Sequence, residues 1–391
     1  MHAEDWIVER LRGLREDDLY RSTTTYADAG GHVNADGRKL LNLASNDYLN
    51  LAQHPDVIAA AKRHLDQWGT GATASRLVTG TLPCHQQLEE RLATHKSYAR
   101  AVLFGSGYMA NVGVITTLVG RGDHVFADRL VHASLIEGVL ASRATLHRFQ
   151  HNDPDHLAAL LSEKSDQGRC LVVTESVFSM DGDLAPLAAL GEIAVKNDAM
   201  LLVDDAHATG VYGPQGAGRV AEENLQGIVN ITIGTFSKGL GGYGGFAACS
   251  ESMAELMINR SRSFIYTTAP APAAVGAAMG ALDVLQEHPE YGQDLLARAA
   301  RFRQTLEQQG LETGAGTSHI IPLLIGDSAA TLAVARELHD QGVLVVAFRP
   351  PTVPEGSARL RLAPTLAHSD EELAQAAEKI ATVAGSRAHA A

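Results

Sequence analysis

Ile228-Val-Asn-Ile-Thr-Ile-Gly-Thr-Phe-Ser-Lys-Gly-Leu-Gly-Gly-Tyr-Gly-Gly245 joins an apolar, β-branched run to a glycine-rich turn carrying one lysine, Lys238. Residues 228–233 read as a buried strand, and Phe246-Ala-Ala-Cys249 beyond the glycines as another. A lysine at a strand's end among small residues is costly to keep charged. Its pKa tends to fall, and the amine becomes a nucleophile towards carbonyl groups. A solvated lysine in a glycine-rich hairpin fits the same residues. Gly239-Leu-Gly-Gly-Tyr-Gly244 also matches the dinucleotide fingerprint, but that pattern must open a helix, and an apolar strand follows here. A P-loop is excluded because Ser237, not glycine, precedes the lysine.

Upstream, strands are expected at Ala101–Phe104, Asp123–Ala127, Thr145–Phe149, Cys170–Thr174 and Ala199–Val203, with helices between them near 110–119, 132–141, 154–164 and 186–197. Repeated strand–helix units of this length imply an α/β fold with a large, mainly parallel sheet covered on both faces. Ligands of such sheets sit beyond the carboxyl ends of the strands. The polar clusters fall there: His132, Ser179-Met-Asp181, Asp204-Asp-Ala-His207 and Lys238. Gly105-Ser-Gly-Tyr108 turns a strand into a helix, an arrangement that presents free N–H groups to a phosphate or simply connects two elements.

Asp204 ends an almost wholly apolar strand, and a buried carboxylate needs a partner. A protonated pyridine nitrogen is one, which makes pyridoxal phosphate the cofactor that fits both Asp204 and Lys238. His207 reads as a hydrogen-bond partner of that ring or as a structural histidine, and His132 as a group stacked over it or, again, a structural one. No third or fourth ligand has metal-site spacing, so no metal is expected.

The chain has 391 residues, 45% hydrophobic and 20% charged, with a net charge of −13. That acidity argues against nucleic-acid or membrane-surface partners. Three scattered cysteines, Cys84, Cys170 and Cys249, suggest a reducing, cytoplasmic setting. No apolar run is long enough to span a bilayer, and no secretory signal is visible. Three regions are expected: an N-terminal helix and arm over 1–45, a large domain over 46–275, and a small C-terminal α+β domain over 276–391. The first opens with a helix from Asp5 to about Tyr20 and contains a hairpin turn at Asp36-Gly37. In the last, strands are expected at Ile320–Ile325, Val343–Phe348 and Ala358–Ala363, and Phe348-Arg-Pro-Pro-Thr-Val-Pro354 reads as an extended loop.

These residues resemble the α-oxoamine synthases, a fold-type I family dependent on pyridoxal phosphate. The likeness covers nearly the whole chain. It is carried by Ser45-Asn-Asp-Tyr-Leu49, Phe104-Gly-Ser-Gly-Tyr108, Asp128-Arg-Leu-Val-His-Ala-Ser-Leu135, His151-Asn-Asp153, Thr174-Glu-Ser-Val-Phe-Ser-Met-Asp-Gly-Asp183, Val203-Asp-Asp-Ala-His-Ala-Thr-Gly210 and Thr235-Phe-Ser-Lys238. Ser237 stands where many members carry glycine, and Ala72-Thr-Ala-Ser-Arg76 departs from a more glycine-rich run.

The resemblance implies that Lys238 holds the cofactor's aldehyde, Asp204 its ring nitrogen, and His207 and Ser179 its hydroxyl. It implies that His132 stacks on the ring and that Gly107, Tyr108 and Thr235 hold the phosphate. Thr267 and Thr268 would reach the phosphate of a second copy, implying a homodimer with sites at its interface. Arg361 and Asn46 would hold an amino-acid substrate, and Arg21 and Thr352 an acyl substrate. Arg349-Pro-Pro-Thr-Val-Pro354 and Ala358-Arg-Leu-Arg-Leu362 look like the branch that condenses L-alanine with a pimeloyl thioester. Branches using glycine or serine with another acyl thioester are the alternative.

Overall fold

Seven strands make the sheet that carries the polar clusters: β1 (Arg100–Phe104), β2 (His124–Asp128), β3 (Thr145–Phe149), β4 (Cys170–Glu175), β5 (Ala199–Asp204), β6 (Ile231–Thr235) and β7 (Gly245–Cys249). Their order is β1-β7-β6-β5-β4-β2-β3. The five strands from β6 to β3 are parallel, and β7 runs antiparallel to both neighbours. The computed structural model describes residues 4–35, 37–164 and 167–388, with side chains to 385. Asp36 of the expected Asp36–Gly37 turn therefore lies outside the described residues.

The strands read as apolar runs because both faces are covered. Phe126, Leu171, Val172, Leu201, Leu202 and Ile231 are fully enclosed in one continuous core. Each such side chain withdrawn from water contributes about 1.5–3 kcal/mol. β6 begins at Ile231, three residues later than its apolar run. Ile228 and Val229 instead donate to Leu225 O in a turn, and Asn230 bonds Leu201 on both backbone and side chain. Behind the loop after β5 lies a buried ion pair. Lys96 Nζ donates to Asp205 Oδ2 (2.9 Å) and Thr209 Oγ1 (2.8 Å), and Ser176 Oγ donates to Asp205 Oδ1 (2.7 Å).

The chain forms two compact units. The sheet belongs to one, Asn46–Ser179 with Asp183–Leu296. The other takes in the chain up to Ser45, Met180–Gly182 and the chain from Ala297 onward. In this second unit the expected strand at Val343–Phe348 is two short strands. Val343–Leu344 pairs in parallel with Arg38–Asn42, and Val346–Phe348 pairs antiparallel with Ala358–Leu362. The expected extended loop at 348–354 is instead a turn across a cis Pro350–Pro351 bond, closed by Thr352 N–H donating to Arg349 O at 3.0 Å.

Removing the Lys96 cation leaves the fully buried Asp205 carboxylate without its counter-charge. Lys96→Ala should therefore lose about 3–5 kcal/mol of stability, read as a lower urea midpoint at unchanged slope.

Candidate active site

The carboxyl ends of β2, β4, β5 and β6 gather the chemistry in the sheet unit. Asp204, the last residue of β5, is 6% exposed. Its Oδ2 accepts from Asn111 Nδ2 at 2.7 Å and its Oδ1 from Ala206 N–H at 3.0 Å. Three residues on, His207 is buried between two partners: Nδ1 meets Tyr48 Oη at 2.7 Å and Nε2 meets Lys238 Nζ at 2.8 Å. Tyr48 in turn donates to Asn46 Oδ1 at 3.1 Å. Lys238 is half-buried in the turn after β6, and β6 is brought beside β5 with Ile233 opposite Asp204.

His132 caps α2 (Ala133–Ser142), and its own N–H donates to Glu175 at the end of β4. The surrounding protein lowers the His132 pKa, while Asp204 opposes that shift and Lys238 reinforces it. Glu175 is pushed up to about 8 by burial first and by the Asp204 charge second, with Lys238 pulling it down. The Asp204 carboxylate and the Lys238 amine thus act on the same two groups, as a shared locus requires.

Thr235 Oγ1 donates to Gly244 O (2.8 Å), and Ser237 N–H and Oγ both engage Thr235 Oγ1. Gly107 opens α1 (Gly107–Leu118); Ser106 Oγ caps its Met109 N–H at 3.2 Å, and the N–H groups of Gly107 and Tyr108 have no intrahelical acceptor. Glycine is required at 245, because a Cβ there would stand 2.5 Å from Gly107 N. These hydroxyls, free N–H groups and a helix N-terminus suit an anionic group. Tyr108 is 49% exposed, Ser179 lies half-buried in the turn after β4, and Thr268 is exposed beside the half-buried Thr267. A buried carboxylate, an amine on a histidine and a helix N-terminus flanked by hydroxyls make a donor set that fits pyridoxal phosphate.

Three predicted site residues lie in the other unit. Arg361 is buried, with its guanidinium 5.9 Å from the Phe348 ring centroid. Arg21 donates to Pro350 O at 3.4 Å, and Thr352 is exposed in the turn described above. Arg21 also lines a cavity of about 990 Å³ with Tyr26, Arg336 and Arg349. Burial, followed by the nearby Arg21 charge, lowers the Arg349 pKa.

Sequence reasoning assigned no role to several groups that hold the site. Asn111, Ser134, Tyr48 and Glu175 are silent in a linear reading because their partners lie on other elements. His151 was visible only as part of a motif. Its Nδ1 meets Asp128 Oδ1 at 3.0 Å and its Nε2 meets Asp183 Oδ2 at 2.6 Å, so it ties β2, β3 and the loop after β4 together. Burial alone would lower its pKa, but the two carboxylates raise it to about 10.

Residues 38–380 match the profile of the family described as aminotransferase class I and II. The 8-amino-7-oxononanoate synthase of Citrifermentans bemidjiense is 44% identical, covering 95% of this chain and 96% of that protein. The enzyme of the same name from Geobacter sulfurreducens is 45% identical, covering 96% and 97%. Among solved structures, serine palmitoyltransferase from S. paucimobilis with a bound PLP–myriocin aldimine superposes with a TM-score of 0.92 at 29% identity, covering 98% of each chain.

The raised His151 pKa has a definite sign. The folded value of about 10 lies above the ordinary 6.5, so the stability it contributes is full below 6.5 and is lost as pH rises through about 10. In His151→Gln, the alkaline fall of the urea midpoint across that window should shrink relative to wild type.

Proposed function

This chain belongs to the class I and II aminotransferases and, within them, to the 8-amino-7-oxononanoate synthases, and from that premise we propose how its residues divide the work. It is a pyridoxal-phosphate-dependent acyltransferase that joins the α-carbon of L-alanine to the acyl carbon of a pimeloyl thioester, releasing CO2 and the thiol. When bound, the cofactor supplies an electron sink conjugated to the amino acid's α-carbon.

The observation that carries the assignment is the pairing of Lys238 Nζ with His207 Nε2 beside the buried Asp204. Lys238 would hold the cofactor's aldehyde and then, as a free amine, take the α-proton of alanine. Asp204, oriented by Asn111 and Ala206, would face the ring nitrogen of the cofactor. His207 and Ser179 would hold the ring hydroxyl. Gly107, Tyr108 and Thr235 would hold the phosphate, with Thr267 and Thr268 reaching that of a second copy in a homodimer. His132 would lie over the ring and assist the loss of CO2. Arg21, Asn46, Thr352 and Arg361 are assigned to substrates by their sequence motifs.

The three cysteines are free and buried, which supports a cytoplasmic setting. No described helix is long and apolar enough to cross a membrane.

Two measurements test this reading. Borohydride reduction of the loaded protein should fix a cofactor label on the peptide containing Lys238, and Lys238→Ala should lose both the label and turnover. A label on another lysine would overturn the assignment. In a panel of L-alanine, glycine and L-serine against pimeloyl, acetyl and palmitoyl thioesters, CO2 should be released fastest with alanine and the pimeloyl thioester. Faster release from glycine or serine pairs would move the chain to a neighbouring branch.

A further inference from the structure

His132 is held at the end of a chain of hydrogen bonds whose inner links, at Asp204, Asn111 and Ser134, are buried. It starts at Asp204, whose ionised oxygens can only accept. The Asn111 atom at 2.7 Å from Asp204 Oδ2 must therefore be the amide nitrogen, which settles how the Asn111 side chain is turned. The same Nδ2 lies 2.9 Å from Ser134 Oγ, so the serine oxygen accepts there. Its single O–H remains to be given, and His132 Nδ1 stands at 2.7 Å. Ser134 N–H, which can only donate, also points to His132 Nδ1 at 3.2 Å. Two donors on Nδ1 leave no room for a proton on that nitrogen. Asn111 and Ser134 are 2% and 0% exposed, so water does not compete for their links, while the His132 ring itself stands exposed at the end of the chain.

We infer that Asn111 and Ser134 are positioning residues that fix His132 as the neutral tautomer with its proton on Nε2, so that His132 serves the reaction as a hydrogen-bond donor rather than as a base. The catalytic part of this inference rests on the function proposed above. The tautomer itself does not, because every atom in the chain belongs to the protein. One carboxylate thereby governs three groups in series. Asp204 sets Asn111, Asn111 sets Ser134, and Ser134 sets the imidazole. The charged groups that act on the ring are Asp204 and Lys238, and Glu175 holds the His132 backbone N–H. An imidazolium at 132 would turn Nδ1 into a donor facing two donors, so protonation breaks the chain at its last link.

The test is long-range proton–nitrogen NMR on full-length, ligand-free protein labelled with nitrogen-15 histidine near neutral pH, with His132 assigned by its loss in His132→Gln. The expected spectrum has a pyridine-type Nδ1 and a pyrrole-type Nε2. A proton on Nδ1, or on both nitrogens, overturns the inference. In Ser134→Ala the two shifts should move towards each other as the tautomers mix, and Ser134→Thr should restore them. An unmoved pair in Ser134→Ala, which keeps the backbone N–H, removes the Ser134 hydroxyl and with it Asn111 from control of the tautomer, whatever the activity. In the loaded enzyme Ser134→Ala should lower kcat on the order of 10-fold, with the thioester KM within about twofold. A wild-type Nε2–H spectrum in a protein that forms no product would sink the functional reading alone. Product formation by a protein with Nδ1–H would sink this one alone.

Discussion

Neighbouring parallel strands of this sheet end in acids that cannot reach bulk water: Asp128 on β2, Glu175 on β4 and Asp204 on β5, with Asp205 directly after. Unpaired, each would carry a desolvation cost of several kcal/mol. The fold answers each one differently. Asp128 takes His151 and the N–H groups of Leu130 and Asn152. Glu175, its pKa pushed up by burial and then by Asp204, accepts from the His132 N–H. Asp205 takes Lys96 and Ser176, which anchor the loop from behind. Among the described residues Asp204 hydrogen-bonds neutral donors, Asn111 and the Ala206 N–H. It is thus the acid whose charge is left available to a cationic ligand, and the other three make that concentration of negative charge tolerable.

The sheet was legible in the sequence because strands covered on both faces must be apolar throughout, and five such runs separated by helical periods admit few topologies. The polar clusters were legible for a related reason. A charged residue at the end of an apolar run is conspicuous, which is how Asp204, His207, His132 and Lys238 stood out. Boundaries were less so. The run at 228–233 is apolar from its first residue, yet Asn230 and the Leu225 turn delay pairing until Ile231. At 343–348 an unbroken apolar run serves two sheets, and nothing in its composition marks the switch at Val345.

What stayed hidden is the set of residues that act through another residue. Asn111 sits one helical turn beyond Gly107 and looks like any polar residue in the first turns of a helix, while Ser134 looks like an ordinary second helical position. Their roles arise from β5 and α2 meeting α1, a long-range juxtaposition that no local pattern encodes. The same holds for His151, whose two carboxylate partners are 23 and 32 residues away. Sequence patterns therefore mark the groups that touch ligands more readily than the groups that aim them.

The placement of β7 bears on how the chain reaches this state. β1 is joined to the rest of the sheet only through β7 among the described strands, with Arg100 opposite Cys249. During synthesis from the N-terminus, the parallel strands can assemble while β1 still lacks its neighbour. Its ladder groups stay unsatisfied until the ribosome has delivered the segment past the lysine turn. The strand pair that closes the sheet also seats Gly245 against Gly107, so completion of the fold and formation of the anion cradle coincide. A nascent chain halted before this segment would expose the β1 edge and lack the Gly245 contact that shapes the cradle.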